Sequence, residues 1–378
     1  MKLTPDHELF RDSVRAFVAN EIAPHVHAWD EAEAFPRELY LRAAAIGLLG
    51  IGYPEAYGGT PADGWYRLIA IEEIARAGSG GLMASLFSHN IGLPPIMAHA
   101  SEALKQRVVP PVLRGEKIAA LAITEPSGGS DVARLRTTAR LEDGQWVIDG
   151  EKVFITSGMR ADWITLAVRT GTKGPAGISL IAVPGDAPGL TRTPLAKMGW
   201  WCSDTAQLRF DGCRVPGDHL IGEENTGFGA IMQNFNGERL AMSGGAVAFA
   251  QVCHDEALDW ARQRQTFGVP LVSHQAIRHK LMDMQMRILS ARAWLHALVA
   301  RQEDGDAGPQ WVAEVCLLKN HATQAMQFCA DQAVQILGAM GFMRGTKSER
   351  IYREVKVMMI GGGAEEIMKE LAARQLGV

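Results

Sequence analysis

Two apolar stripes in the C-terminal half limit what this chain can fold into more than any other feature. Ile277, Leu281, Met284, Ile288, Ala291, Leu295 and Leu298 recur at alternating steps of four and three, the spacing that keeps one helix face continuously against a neighbour. Val315, Leu318, Ala322, Ala325, Cys329 and Ile336 continue the theme after a break at Gly305 to Pro309. Each stripe predicts a helix about 40 Å long at ~1.5 Å rise per residue. Two such helices predict an antiparallel bundle, and the stripe can extend to a second copy of the chain.

The remaining sequence reads as two blocks of different period. Thr4, Pro5 and Asp6 supply a hydroxyl cap, a proline at the first helical position and an acid in the first turn, which together start a helix. Its predicted apolar face is Leu9, Val14, Phe17, Val18 and Ile22. Tyr66 to Ala77 gives a second amphipathic segment before Gly78, Gly80 and Gly81, and His89 is expected to pack or cap. From Ala119 short strands fit better: Trp146 to Ile148, Val153 to Ile155, Trp163 to Val168, Ile178 to Val183 and Ala206 to Phe210. Turn signals lie between them at Asp143-Gly144, Asp149-Gly150, Gly171 to Gly174, Pro184-Gly185 and Asp211-Gly212, a spacing that predicts a small β-sandwich or barrel. The expectation is an α+β chain: a helical N-terminal domain (1–118), a β-sandwich or barrel middle domain (119–226) and a C-terminal four-helix bundle (227–378).

Composition narrows the function. A chain of 378 residues with 47% hydrophobic and 21% charged residues holds a large core without disulfide or metal staples, and a net charge of −4 argues against a nucleic-acid surface. Its five cysteines form no CxxC pair and none has zinc-site spacing, so reduced thiols, no metal and a cytoplasmic location are expected. The first residues carry charges throughout, and no stretch approaches the roughly 18 apolar residues of a membrane span.

Chemistry is suggested at Ala119 to Asp131, AALAITEPSGGSD, where an uncharged strand runs into a turn of small and polar residues. Pro126, Gly128 and Gly129 let backbone N–H groups face outward, while Thr124, Ser127 and Ser130 add hydroxyls. Taken alone this is also the pattern of a plain surface turn. A second strand ending in hydroxyls and glycine, GEKVFITSG at Gly150 to Gly158, follows. Together the two segments resemble the flavin-cradling strands of the acyl-CoA dehydrogenase family. Ala122 to Ala133 follows that family's first signature, with Arg134 standing where a small residue is usual. The resemblance extends from about Pro5 to Val378.

That resemblance implies non-covalent FAD lined by Leu121, Ala122, Ile123, Thr124, Ser130, Phe154, Ile155 and Thr156, with Thr156 near the flavin N5 and Phe154 where the family often carries tryptophan. Arg264 and Phe267 in RQTFG, then His274 and Gln275, match the segment that reaches the pyrophosphate and adenosine of a neighbouring subunit's flavin. Gln335, Gly338 and Ala339 match a second segment supplied in trans, and Ala364 and Glu366 complete the expected cofactor contacts. Gln335, Gly338, Gly341, Phe342, Arg350 and Glu354 fit the family's second signature, whereas Ala339 and Gly345 depart from it. A homotetramer is therefore implied, with an electron-transfer flavoprotein as electron acceptor.

Catalysis shows the most informative departure. Gly362, within MIGGGAEE, occupies the position at which many members carry a glutamate base. Glu238, within FNGERL, resembles the base of the isovaleryl and long-chain branches, which place it on that helix and keep glycine at the other site. The implied reaction is α,β-dehydrogenation of an acyl-CoA: Glu238 takes the α-proton, and the Gly362 N–H shares the thioester oxygen with a flavin ribityl hydroxyl. Ser130, Arg239 and Gly363 are the expected substrate contacts, and the glycines at 361–363 suggest room for branched or long acyl groups. Alternatives are a relative acting on carrier-protein-bound acyl or aminoacyl groups, a flavin monooxygenase, or a non-enzymatic binding protein.

Overall fold

The computed structural model describes residues 3–378. Eight helices open the chain: α1 (Pro5–Phe17), α2 (Val26–Glu31), α3 (Glu38–Ala45), α4 (Gly64–Ala75), α5 (Gly80–Leu86), α6 (His89–Gly92), α7 (Pro94–His99) and α8 (Glu102–Leu113). Thr4 caps α1, its hydroxyl accepting from the His7 N–H at 3.3 Å while the His7 Nδ1 accepts from the Thr4 N–H at 3.1 Å. Val14, Phe17, Val18 and Ile22 are buried, but Leu9 is 69% exposed. The inward place in that first part of the helix belongs to His7, whose ring meets Asp63 and packs against Tyr66.

Eight strands follow: β1 (Ala119–Ala122), β2 (Thr138–Glu142), β3 (Gln145–Thr156), β4 (Trp163–Arg169), β5 (Ile178–Pro184), β6 (Leu190–Pro194), β7 (Thr205–Pro216) and β8 (Leu220–Ile221). They join in the order β6-β7-β3-β2-β4-β5-β8, with β1 parallel to β4. Ile181 and Val183 of β5 share one buried cluster with Leu208 and Phe210 of β7, so strands far apart in the sheet order curl around a common core. The outer face of β4 and β5 buries Ala167, Leu180 and Ala182 against Val108 and Val112 of α8.

Two sequence expectations fail inside this sheet. Asp149-Gly150 does not separate strands but lies within β3, where the pairing with β7 slips between Ile148 and Gly150. Asp211-Gly212 likewise lies within β7, and Asp149 Oδ1 accepts from the Gly212 N–H at 2.7 Å. Both dipeptides mark irregularities in one long ribbon rather than reversals of the chain.

The C-terminal part holds α9 (Gly227–Gln263), a short hairpin of β9 (Gln265–Thr266) and β10 (Val269–Pro270), α10 (Gln275–Glu303), α11 (Pro309–Leu337), α12 (Ala339–Phe342), α13 (Lys347–Ile360) and α14 (Glu365–Leu376). Leu281 to Leu298 of the first stripe and Val315 to Ile336 of the second are buried at the expected positions, with only Ile277 partly open. One core joins α4, α9 and α10 through Leu68, Ile71, Leu240, Val247 and Leu295. Ile231, earlier on α9, belongs instead to the cluster against the sheet. The stretch between Ile231 and Leu240 thus spans the junction of sheet and bundle.

Candidate functional site

The two strand-to-turn segments are tied together beneath their surface. Lys152, fully buried on β3, donates to Ile123 O and to Glu125 Oε1, each at 2.9 Å. Glu125 in turn accepts from the N–H groups of Arg136 at 2.6 Å and Thr137 at 2.8 Å. Burial opposes ionisation of this carboxylate, but the charge and hydrogen bond of Lys152 and the Thr137 N–H outweigh it and hold the group below its ordinary range. Burial lowers the Lys152 ammonium to about 8 against the pull of Glu125. Neither partner was singled out from the sequence. A lysine inside the apolar run VIDGEKVFI, with a glutamate at the end of a strand that must lie nearby, was the available signal.

Above this pair the Val153 N–H donates to Thr124 O at 2.9 Å. The β3–β7 register slips again between Lys152 and Ile155, and there Phe154 takes a left-handed φ of 62° with 68% of its surface exposed. At this bulge the aromatic ring lies outside the core, between buried Val153 and Ile155. Leu121, Thr124 and Thr156 are half-buried, Ala122, Ile123 and Ile155 are buried, and Ser130 is exposed on the following loop. The result is a surface with a free aromatic face and hydroxyls at the ends of two joined strands.

Glu238 sits on α9 with its Oε2 out of contact with solvent and without a hydrogen-bond partner among the described residues. Burial raises its pKa to about 7, against the opposing pull of Arg239 and Lys319. Arg239 is itself buried: its Nε donates to Gly362 O at 2.9 Å, its Nη1 to Asn236 Oδ1 at 3.1 Å, and its guanidinium lies over the Phe235 ring. The structure therefore joins Arg239, the neighbour of Glu238 on α9, to Gly362, 123 positions further along the chain. Arg239, expected as a substrate contact, directs its Nε and Nη1 at the protein.

Gly361, Gly362 and Gly363 form the turn between α13 and α14, with φ of 66° at Gly362 and 123° at Gly363. Among the described residues the Gly362 N–H has no protein acceptor. A side chain at 362 would meet Met242 Sδ at 2.8 Å, and one at 363 would meet Met368 Cε at 2.2 Å. The room expected beside the glycines is thus filled, in those directions, by two methionines. Lys319, absent from the sequence-based site, donates to Met359 O at 2.8 Å and to Gly363 O at 2.7 Å. Ala364 and Glu366 lie at the start of α14, where their N–H groups are also without protein acceptors among the described residues.

The other expected cofactor contacts lie open on the protomer. Arg264 follows α9, and the Phe267 ring on the hairpin turn is 97% exposed at a φ of 52°. His274 Nε2 pairs with Thr266 Oγ1 at 2.9 Å, and Gln275, which starts α10, is exposed. Gln335, Gly338 and Ala339 are exposed at the α11–α12 corner, with Gly338 at a φ of 62°. His89 is buried, and burial lowers its pKa to about 4, as suits a packing residue.

Comparison with known proteins finds similarity along nearly the whole chain. The N-terminal, middle and C-terminal domain models of acyl-CoA dehydrogenase match residues 4–116, 120–213 and 225–377. An acyl-CoA dehydrogenase of Bacillus subtilis (strain 168) is 35% identical over 379 aligned positions, covering 100% of this chain and 99% of that protein. The mitochondrial isovaleryl-CoA dehydrogenase of Oryza sativa subsp. japonica is 35% identical, covering 98% of this chain and 90% of that one. A crystal structure of a candidate acyl-CoA dehydrogenase from Mycobacterium smegmatis superposes with a TM-score of 0.97 at 47% identity, covering 99% and 98% of the two chains.

Proposed function

The chain belongs to the acyl-CoA dehydrogenase family, and from that premise we propose that it oxidises an acyl-CoA thioester between the α- and β-carbons with Glu238 as the base. The observation that carries this reading is the buried Oε2 of Glu238, unpaired among the described residues and next in the chain to Arg239, which holds the glycine turn whose Gly362 N–H is likewise without an acceptor among them. A carboxylate of ordinary pKa is a weak acceptor for a thioester α-proton. Desolvation raises Glu238 to about 7, which makes it more basic while leaving much of it ionised near neutrality. The Gly362 N–H is the donor for the thioester oxygen on which charge develops as that proton leaves.

The residues present fit FAD. A flat ring system needs an aromatic or apolar face and edge donors, which Phe154, Thr124 and Thr156 supply on joined strands; a pyrophosphate needs a planar cation, which Arg264 supplies. Leu121 to Thr124, Ser130 and Phe154 to Thr156 would hold it from one protomer, with Ala364 and Glu366 nearby. Arg264, Phe267, His274, Gln275, Gln335, Gly338 and Ala339 would reach it from a second. Bound FAD supplies the acceptor for the β-hydride.

A second copy also accounts for the apolar surface of the bundle. Met282, Met286 and Leu289 are exposed at helical spacing on α10, and Phe342 at the end of α12 and Met343 just after it are exposed as well. This supports a homo-oligomer, a tetramer on the family's pattern; the electron acceptor proposed for it, on the family's pattern alone, is an electron-transfer flavoprotein. Placement of the base on α9 groups the chain with the isovaleryl and long-chain branches.

An anaerobic titration of the flavin-loaded protein with straight, branched and long acyl-CoA thioesters tests the reading. One class should bleach the flavin at equimolar amounts. Protein that stays oxidised with every thioester while reacting with oxygen and a different reductant would favour other chemistry on the same fold.

A further inference from the structure

The turn that carries the proposed oxyanion donor has no side chains of its own to hold it. Three consecutive glycines have the largest backbone freedom to lose, and Gly362 and Gly363 both adopt positive φ. A donor that must meet developing charge gains from being fixed before the reaction, because its orientation then costs nothing at the moment it is needed. Something outside the turn has to fix it.

Two buried cations reach it from the protein side. Lys319 is 0% exposed on α11, in the seam between Val315, Leu318 and Ala322, and its ammonium bridges Met359 O at 2.8 Å and Gly363 O at 2.7 Å. Arg239 holds the intervening Gly362 O at 2.9 Å. The carbonyls of Met359, Gly362 and Gly363 are thereby held on either side of the Gly361–Gly362 peptide, whose N–H has no protein acceptor among the described residues. A lysine whose only task was to fill space would extend its charge toward water, since burying an ammonium is costly.

We propose that Lys319 is a positioning residue for the reaction: by clamping Met359 O and Gly363 O it orients the Gly362 N–H toward the substrate's thioester oxygen. This rests on the acyl-CoA dehydrogenase reading above. It predicts selective damage. Loss of Lys319 impairs recognition of the thioester carbonyl and leaves the contacts to the rest of the substrate in place, whereas loss of a plain packing residue weakens all binding alike.

The test compares two ligands in the flavin-loaded enzyme carrying Glu238→Gln, in which turnover is stopped and equilibrium affinity can be measured. The ligands are the acyl-CoA that best bleaches the wild-type flavin and the alkyl-CoA thioether of the same length, which lacks the carbonyl oxygen. The E238Q enzyme should prefer the thioester. Adding Lys319→Met should reduce that preference about tenfold, the loss expected of one well-aimed hydrogen bond, with thioether affinity nearly unchanged. Lys319→Gln, a shorter uncharged donor, should retain part of the preference. It also serves as the test variant if K319M does not accumulate as flavin-loaded protein. Equal weakening of both ligands, or an unchanged preference in the variant that folds, overturns the proposal. Continued turnover by the E238Q parent would instead remove Glu238 as the base, an outcome separate from the role of Lys319.

Discussion

A carboxylate set among helix side chains with no hydrogen-bond partner holds its proton to higher pH, and at Glu238 this couples the proposed catalysis to stability. The flavin-reduction rate of the free enzyme should rise with pH and level off above about 7, the pKa to which burial raises the group. Glu238→Gln should slow flavin reduction by a factor of about 10³ or more while FAD stays bound; reduction at the wild-type rate would send the search for the base to Glu365 and Glu366. Folding raises this pKa from 4.5 to about 7, so the group's contribution to stability is complete only below about pH 4.5 and is lost as pH rises through 7. E238Q should therefore melt at a higher temperature than wild type at pH 8, with the gap closing at pH 5. Melting curves at the two pH values decide it. Glu238 and Gly362 were legible as a paired departure from the family's pattern. Lys319 was not, because nothing in a helix-seam sequence distinguishes a lysine that snorkels from one that turns inward to grip a distant turn.

At the level of elements, a buried ion pair joins the cradle strands. Lys152 ties β3 to the end of β1 through Ile123 O and Glu125, so Lys152→Met leaves a buried carboxylate without its charge partner. A loss of about 3 kcal/mol in stability is expected, along with weaker FAD retention. E125Q in the same chain should recover part of both, as urea melts and flavin release would show; full additivity of the two changes would mean that the pair is not coupled. The strands were legible as apolar runs bounded by turn residues. The bulges were misread as turns, because Asp-Gly serves either purpose. At Gly150 the deciding fact is Thr137: a Cβ there would come within 2.6 Å of its Cα, a close approach between segments that a local pattern cannot reveal. Phe154 shows the converse. A phenylalanine in a strand suits the core, yet at the slip in pairing with β7 it takes a left-handed φ and its ring is exposed.

For the molecule as a whole, the proposed FAD site is complete only between copies, so cofactor retention and assembly should fall together. Met286→Glu on the exposed stripe of α10 should shift the protein toward smaller species by light scattering and release flavin. Arg264→Ala should weaken FAD binding by about tenfold through loss of charge-assisted bonds while assembly persists. Tight FAD binding by a monomeric M286E protein would show that one chain suffices. By itself the sequence determined the two bundle helices, through stripes whose repeat admits only one continuous buried face, and it carried the proposed cradle segments and the proposed exchange of base position, through motifs short enough to be read along the chain. Only the tertiary structure decided which carbonyls Lys319, Arg239 and Lys152 hold, where β3 slips, and that His7 rather than Leu9 faces inward. Those outcomes depend on which distant groups meet in the core and must be satisfied there, and contact between distant parts of a chain leaves no periodic trace in its sequence.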